Sequence, residues 1–569
     1  MTPEKYRFMS VLFVYTGSRA VPFNGRAVRG AVAGLLSLMV FASAGAGLAA
    51  TGTASAQGSS PNPTETGAAQ SPDEERAFRP GRVLDTYGFQ WRGAFGTAGE
   101  LPFWLHSNRY GELDTQSANT TLSLFGTWSH TFDAGPSLSA GADLSLRGAE
   151  NSSVWLQEAY LQAGYGHFVL WAGRKKEYFG LVHHELSMGT TDLSQNARPI
   201  PKITLATDGF QPIPGTRRVM YYSASLAHGW MYDDDYRFVD RVRLHQKHLY
   251  LQIFSDDAPI VPRAGLKHFA QWGGNSPRHG EAPVNLRTFR DVFFSLAADS
   301  KEIIGGGELL NVHQNHLGTY DFSLTANVGR YRMAISRQFI LEDTPNARFG
   351  TPWDGMWGAY IELRPDSRTR WRSGGSGGAG TGRTSSLRAG QGAGQNGGAG
   401  QADRRAAHRP LIRAVLYEYL DTKEGIDRYP HRDMTSYFNY YNHSAYRGGW
   451  TYHGRSLGNP LFFSHPDYLG VINNIILAHH FGAVGHAGPV DWRLLTTYSR
   501  NYGAGGLTTT DRVGARRPNE RRDQWSWMLE LKTGMFHPSL EAATTLALDT
   551  GEAHPGNFGA MVTLRWRAR

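Results

Sequence analysis

Alternation with period two constrains this chain more than any other feature. In "SLSAGADLSLRG", Leu138, Ala140, Ala142, Leu144 and Leu146 fall on one face of an extended chain, and Ser139, Gly141, Asp143, Ser145 and Arg147 fall on the other. Ala159, Leu161, Ala163 and Tyr165 alternate with Glu158, Tyr160, Gln162 and Gly164, and Phe322, Leu324, Ala326 and Val328 with Ser323, Thr325 and Asn327. The last segment, "GAMVTLRWRAR", sets Ala560, Val562, Leu564 and Trp566 against Met561, Thr563, Arg565 and Arg567. Strands of about ten residues, apolar on one side, polar on the other and aromatic near their ends, are what a transmembrane barrel with a wet lumen requires. A soluble sandwich or propeller shows the same alternation, so other features have to separate the two.

The N-terminus and the composition do so. Arg26 and Arg29 precede "GAVAGLLSLMVFASAGAGLAA", and the following "TASAQ" places Ala54 and Ala56 where a signal peptidase needs small residues. Residues 1–56 therefore read as a secretory signal with a long n-region, and an inner-membrane anchor helix is the alternative. The chain has 569 residues and no Cys, which excludes disulfides, thiol nucleophiles and Cys-based metal sites. Its net charge of +9 is mild for this length and is not gathered into a dense basic run, so nucleic acid is not an expected partner. Export, cysteine absence and a strand at the C-terminus together favour the outer-membrane barrel.

Residues 57–82 are Pro-, Ser- and acid-rich and form a disordered linker, and residues 83–569 form the barrel. Within it, residues 371–405 are a Gly-rich stretch that buries too little to offset its ordering entropy, read as a disordered loop outside the membrane. It separates two strand-like segments, "MWGAYIEL" and "LIRAVLYEYL". "GVINNIILAHHFGAVG" is too short and too polar for a spanning helix. Leu286, Phe289, Phe293 and Leu296 recur at helical spacing, predicting a short amphipathic helix that plugs the lumen or lies against the rim.

Catalytic signatures are weak. "GLVHHELSMG" has Met188 where a zinc-protease motif needs its second His, and no Ser, His and acid can be assigned as a triad. No enzyme, metal or cofactor is expected. The telling residues are rings among amides and guanidiniums, in "GLKHFAQWGGNSPRHG" and "YFNYYNHSAYRGGWTYHGRSLGNP". Here Tyr437, Tyr440, Tyr441, Asn442, His443, Trp450, Tyr452, Arg455, His268, Gln271 and Trp272 are candidates for polysaccharide contact. A ring can lie on the C–H face of a pyranose while amides, imidazoles and guanidiniums bind hydroxyls or uronic carboxylates. An aromatic girdle at the membrane interface is the competing reading.

At these residues the chain resembles the Wzi family of outer-membrane capsule-assembly proteins, particularly its Bacteroidetes-like branch. The resemblance runs through "PIPKITLATDGFQPIPGT", "AHGWMYDDDYRFVDRVRLHQKHLYLQI", "GLKHFAQWGG", "NVHQNHLGTYDFSL", "DGMWGAY", "LYEYLDTKEG", "YNHSAYRGGWTYHGRSLGNPLF", "NNIILAHHFG" and "TYSRNYG". It implies a monomeric all-β barrel of roughly 18 antiparallel strands, partly plugged by helices on the periplasmic side. It also implies a lectin-like role, holding capsular polysaccharide at the cell surface. Outer-membrane lipid and the barrel-assembly machinery are the further partners. The chain departs from the family in the Gly-rich insertion after Trp371 and in ending at Arg569 where many barrels end in Phe; Trp566 is the nearest terminal aromatic. A porin-like channel for oligosaccharides, lined by Asp143, Arg147 and Glu158, is the alternative function, and an outer-membrane enzyme is a third.

Overall fold

The computed structural model of the chain describes residues 85–568, apart from 134, 151, 278–279, 297–314, 343–348, 365–409, 429–438, 444, 465–469 and 505–520. The expected signal, the linker and the Gly-rich loop lie outside the described residues.

Period two becomes strands: β1 (Thr86–Glu100), β2 (Gln116–Thr131), β3 (Ser137–Gly148), β4 (Ser153–Tyr165), β5 (Phe168–Arg174) and β6 (Lys202–Thr207). The middle third holds β7 (Met220–Trp230), β8 (Arg243–Ile253), β9 (Ile260–Trp272), β10 (Asn315–Val328), β11 (Tyr331–Leu341) and β12 (Gly355–Leu363). The last six are β13 (Ala414–Asp421), β14 (Ile476–Ala487), β15 (Val490–Asn501), β16 (Arg522–His537), β17 (Leu540–Gly551) and β18 (Asn557–Ala568). Each pairs antiparallel with its neighbours in sequence, and Gln211–Pro212 adds a short piece beside β7. Closure comes from β1 against β18, in register from Tyr87 opposite Ala568 to Gly96 opposite Gly559. These 18 strands make a closed barrel with no free edge, the arrangement in which every strand's backbone groups are satisfied without water.

The outward face is apolar. Leu122, Leu124, Leu144, Leu156, Leu249, Leu251, Phe322, Leu324, Leu546, Leu548 and Val562 are all exposed, as lipid-facing positions must be. Aromatic residues flank this belt at both ends. Trp566 stacks on Phe89 at 6.0 Å near the chain termini, and Tyr498, Trp525 and Trp527 stack in a row at the opposite end, with Trp525 and Trp527 5.5 Å apart. Among the described residues no helix is long and apolar enough to cross a membrane.

Connections alternate in length. Residues 166–167, 329–330, 488–489 and 538–539 are tight turns at the end that also holds Thr86 and Ala568, and the connection from Leu363 to Ala414 leaves from this same end. The long connections, 101–115, 175–201, 231–242, 273–314 and 422–475, all rise from the other end. Among the described residues they hold three short α-helices, α1 (Phe103–His106), α2 (Leu286–Phe294) and α3 (Glu424–Arg428), and a 3-10 turn at Asp234–Tyr236. The resemblance implied plug helices at the periplasmic mouth, which is the short-turn end of such barrels. The described helices lie at the loop end instead, and α1 enters the lumen, its Phe103 N donating to Asp549 Oδ2 at 2.8 Å and its Trp104 Nε1 to Thr497 Oγ1 at 3.2 Å. Folded loops do the rest of the filling. The helix predicted from Leu286, Phe289 and Phe293 forms as α2, capped by Asn285, whose side chain accepts from Thr288 N.

Candidate functional site

The inward faces of the strands are polar and yet buried, because three loops fold down onto them. The 175–201 loop descends furthest: Glu185 pairs with Arg413 just before β13, and its carbonyl accepts from Arg493 Nη1 at 3.3 Å, near the turn end of β15. A clasp holds this loop to the wall. Lys267 Nζ on β9 lies 2.5 Å from Asp192 Oδ2 of the loop and 3.1 Å from Asp321 Oδ2 on β10, with all three side chains at 0–3% exposure. Tyr250 OH donates to Asp321 Oδ2 at 2.6 Å, and Thr319 Oγ1 donates to Asp192 Oδ2 at 2.9 Å. Gly265 makes the room: a Cβ there would lie 2.1 Å from the Tyr250 ring. One ammonium between two carboxylates in a dry interior is stable only because each oxygen is also hydrogen-bonded.

The aromatic stretch supplies the second loop and the core of the plug. Tyr440, Tyr441, Trp450 and Tyr452 are 0–1% exposed. Tyr440 OH donates to Asp354 Oδ2 at 2.7 Å, Tyr441 OH to Thr191 O, and Trp450 Nε1 to Asp192 O at 2.5 Å. Asn442 clamps Val471 from both sides of its amide, and His443 Nδ1 accepts from the backbone N–H of Ala445 at 3.2 Å. Rings with polar tips therefore suit this stretch for a reason the sequence did not disclose: the bodies of Tyr440, Tyr441 and Trp450 pack in the core while their tips satisfy a loop carbonyl or carboxylate. In this conformation no ligand reaches those ring faces. Tyr437 lies outside the described residues.

Strand parity divides the other candidate cluster. Gln271 faces inward, donating Nε2 to Gly449 O at 3.1 Å and accepting from Asn315 Nδ2 at 2.8 Å. His268 and Trp272 share the outward side with Ile260, Ala264 and the exposed Leu249 and Leu251 of neighbouring β8. They do not join the lumenal residues. Odd and even positions of one strand cannot share a face.

At the loop end of the lumen a group of part-buried guanidiniums forms a basic mouth. The Arg198 guanidinium lies 4.2 Å over the Trp155 ring and Arg147 lies 5.4 Å from the same ring. Arg455, the one sequence candidate here, donates Nη2 to Leu113 O at 2.6 Å and Nη1 to His106 O at 3.2 Å, which ties the 101–115 loop to the aromatic stretch. Arg147 faces Asp114 at 3.5 Å, whereas Arg198 makes no ion pair among the described residues. Burial, then the guanidiniums of Arg198, Arg174, Arg237 and Arg147, pull His453 down to about 3. Burial and the neighbouring Arg147 likewise bring Arg198 down to about 10. Four guanidiniums thus gather here, with Asp114 beside Arg147 and Asp233 beside Arg237 offsetting part of their charge. Arg147 was legible as a lumen-facing residue from its alternation. Arg198, on an irregular loop, left no periodic signal and was missed. Beneath the mouth a cavity of about 640 Å³, counted with its open part, lies between α1 and the 175–201 loop, bordered by Arg109, Tyr178, His183, Arg493 and Met528.

No family model and no curated protein matches the sequence of this chain. Among solved structures it is similar to Wzi, an outer-membrane protein involved in group 1 capsule assembly in Escherichia coli and described as a carbohydrate-binding β-barrel: TM-score 0.51, 14% identity, 84% of this chain and 83% of that one. Two proteins of Pseudomonas aeruginosa also align, the outer-membrane protein OprD at TM-score 0.39 and 8% identity, and OpdL at 0.38 and 8%, covering 94% and 99% of their chains and 85% of this one. What the chain shares with Wzi at this identity is the fold.

Proposed function

We propose that the protein is an outer-membrane barrel that retains an acidic polysaccharide at its extracellular mouth and catalyses nothing. The observation that carries this reading is the basic mouth: Arg147 and Arg198 flank Trp155, Arg198 has no carboxylate partner among the described residues, and the plug beneath fills the lumen. Long loops face outward in barrels of this kind, which puts the mouth at the cell surface. A guanidinium lying on an indole is held flat, ready to pair with a uronate or other anionic group of a passing polymer. Repetition of that group along the polymer multiplies weak single contacts into retention. The carbohydrate binding described for Wzi supports this reading.

The test is direct. Arg198→Gln should lower the affinity of the purified, heat-modifiable barrel for a uronate-containing polysaccharide by roughly tenfold, the scale of one lost charge-assisted contact of about 1.5 kcal/mol. Binding of a neutral polymer should not change. If both polymers bind Arg198→Gln as they bind wild type, the mouth is not the binding site.

A further inference from the structure

Helix α2 lies on the outside of the barrel, against the outward side of the wall. Its inner face packs on the outward side of β7, β8 and β9: the Phe289 ring lies 5.8 Å from Trp272, 5.7 Å from His245 and 6.0 Å from His228, and Phe293 lies 5.3 Å from His245. Lys247 Nζ donates to Phe293 O, and Ser295 Oγ shares a 2.9 Å hydrogen bond with His268 Nε2. The register pairs Lys247 with His268 and Leu249 with Leu266, without a shift. His245 and Lys247 therefore stand on the same side of β8 as the lipid-facing Leu249, Leu251 and Ile253. Trp272, Ala270 and Val292 accordingly form a small hydrophobic cluster separate from the main core.

This placement has a physical reason. The wall here carries His228, His245, His268, His316 and Lys247 on the side where the rest of the barrel carries Leu and Phe. Polar rings facing acyl chains are costly, and α2 roofs them over. His245 is four residues from Leu249, about 13 Å along the strand, so the roof begins where the apolar belt ends.

The other face of α2 is the informative one. Leu286, Arg290 and Phe294 recur at helical spacing on it, with Arg287 beside them. Leu286 is 84% exposed and Phe294 50%, and Val284 just before the helix is also exposed. A helix that is apolar towards the wall and still shows Leu and Phe outward, continuous with a lipid-facing belt, is not a water-facing helix. Its cations are placed as in interfacial helices, where arginines reach from an apolar bed to anionic headgroups. Arg290 pairs with Asp291 at 2.5 Å, and Arg243 of the wall lies 5.7 Å from the Trp272 ring on the same outer face.

We propose that α2 is a lipid-binding collar: Leu286 and Phe294 enter the outer leaflet, and Arg287 and Arg290 hold the phosphate groups of the phosphorylated lipids that surround the barrel. This site is separate from the basic mouth and stands or falls independently of the polysaccharide reading. It commits to lipid phosphate rather than to a second copy or a protein partner, because the exposed face continues the lipid-facing belt and its cations match lipid phosphates.

The absence of cysteine from the chain makes the experiment clean. Phe294→Cys, labelled with an environment-sensitive fluorophore and reconstituted in bilayers, should emit as in an apolar medium and be quenched by lipids nitroxide-labelled near the headgroup. Native mass spectrometry of the wild-type barrel should show retained phosphorylated lipid. Arg287→Gln with Arg290→Gln should reduce that retention roughly tenfold while retention of a neutral-headgroup lipid stays unchanged. Excess inorganic phosphate should not displace the lipid. A water-like, unquenched probe would overturn the proposal. So would lipid retention in the double variant equal to wild type, displacement by free phosphate alone, or self-association that shields the probe in place of lipid.

Discussion

Asp354 is a buried carboxyl on which two pieces of the plug converge: it takes the Tyr440 hydroxyl and accepts from Glu424 N at 2.9 Å and Gly425 N at 3.1 Å. Burial pushes it up to about 7, against the hydrogen bond from Tyr440. From its ordinary value of 3.8 up to about 7 the folded chain keeps a proton that the unfolded chain has released. The stability this residue contributes is thus full below about pH 4 and is lost as pH rises through about 7. The thermal midpoint of the barrel should therefore be higher near pH 5 than near pH 8, and Asp354→Asn should shrink that difference. An equal difference in the variant would remove Asp354 from the account. The Lys267 clasp obeys the opposite logic, since removing its single cation strands two carboxylates. Lys267→Met should destabilise the seating of the 175–201 loop by about 3–5 kcal/mol, read as new protease cleavage within 175–201.

Among the elements, strands carried their fate in the sequence while loops did not. The segments from Leu138 to Leu146, Glu158 to Tyr165, Phe322 to Val328 and Ala560 to Trp566 all alternate, and all are strands with the expected side outward. One refinement came from a register shift: a bulge beside Leu144 lets Trp155, Gln157 and Glu158 share the lumen side despite their spacing. The connection between β12 and β13 should matter little to assembly. Deleting Gly374 to Ala402 should leave a folded, heat-modifiable barrel, because loop length costs only about 0.6 kcal/mol per doubling. Failure to assemble would make that segment structural. Helix α2 was legible from its spacing, but its position on the outer wall was not. That depends on polar outward residues of three strands, which only pairing brings together.

For the whole molecule, the decisive question is whether the lumen conducts. Loops knit by Asn196 to Ser456, Asn459 to Gly189 and Asn108 to Met188 fill it from the mouth, and the partly open cavity near Arg109 lies between two of them. Wild-type protein in planar bilayers should be nearly silent, and Lys267→Met should show intermittent openings as the 175–201 loop detaches. Steady conductance by the wild type would favour the porin-like reading.

The sequence by itself determined part of the wall: that β3, β4, β10 and β18 are strands, which side of each faces outward, and that Asp143, Arg147 and Glu158 look inward. Side-chain parity is a local property of an extended backbone, so it is written in neighbouring residues. Only the tertiary structure decided what the aromatic stretch touches. Trp450 meets a carbonyl 258 positions away and Tyr441 one 250 positions away, inside a lumen that exists only once β1 has found β18. Composition marked those rings as half apolar and half hydrogen-bonding, which fits a sugar face and a wet protein core equally well. Long-range closure, which no local pattern encodes, chose the core for them and gathered Arg147 and Arg198 around Trp155 at the loop end.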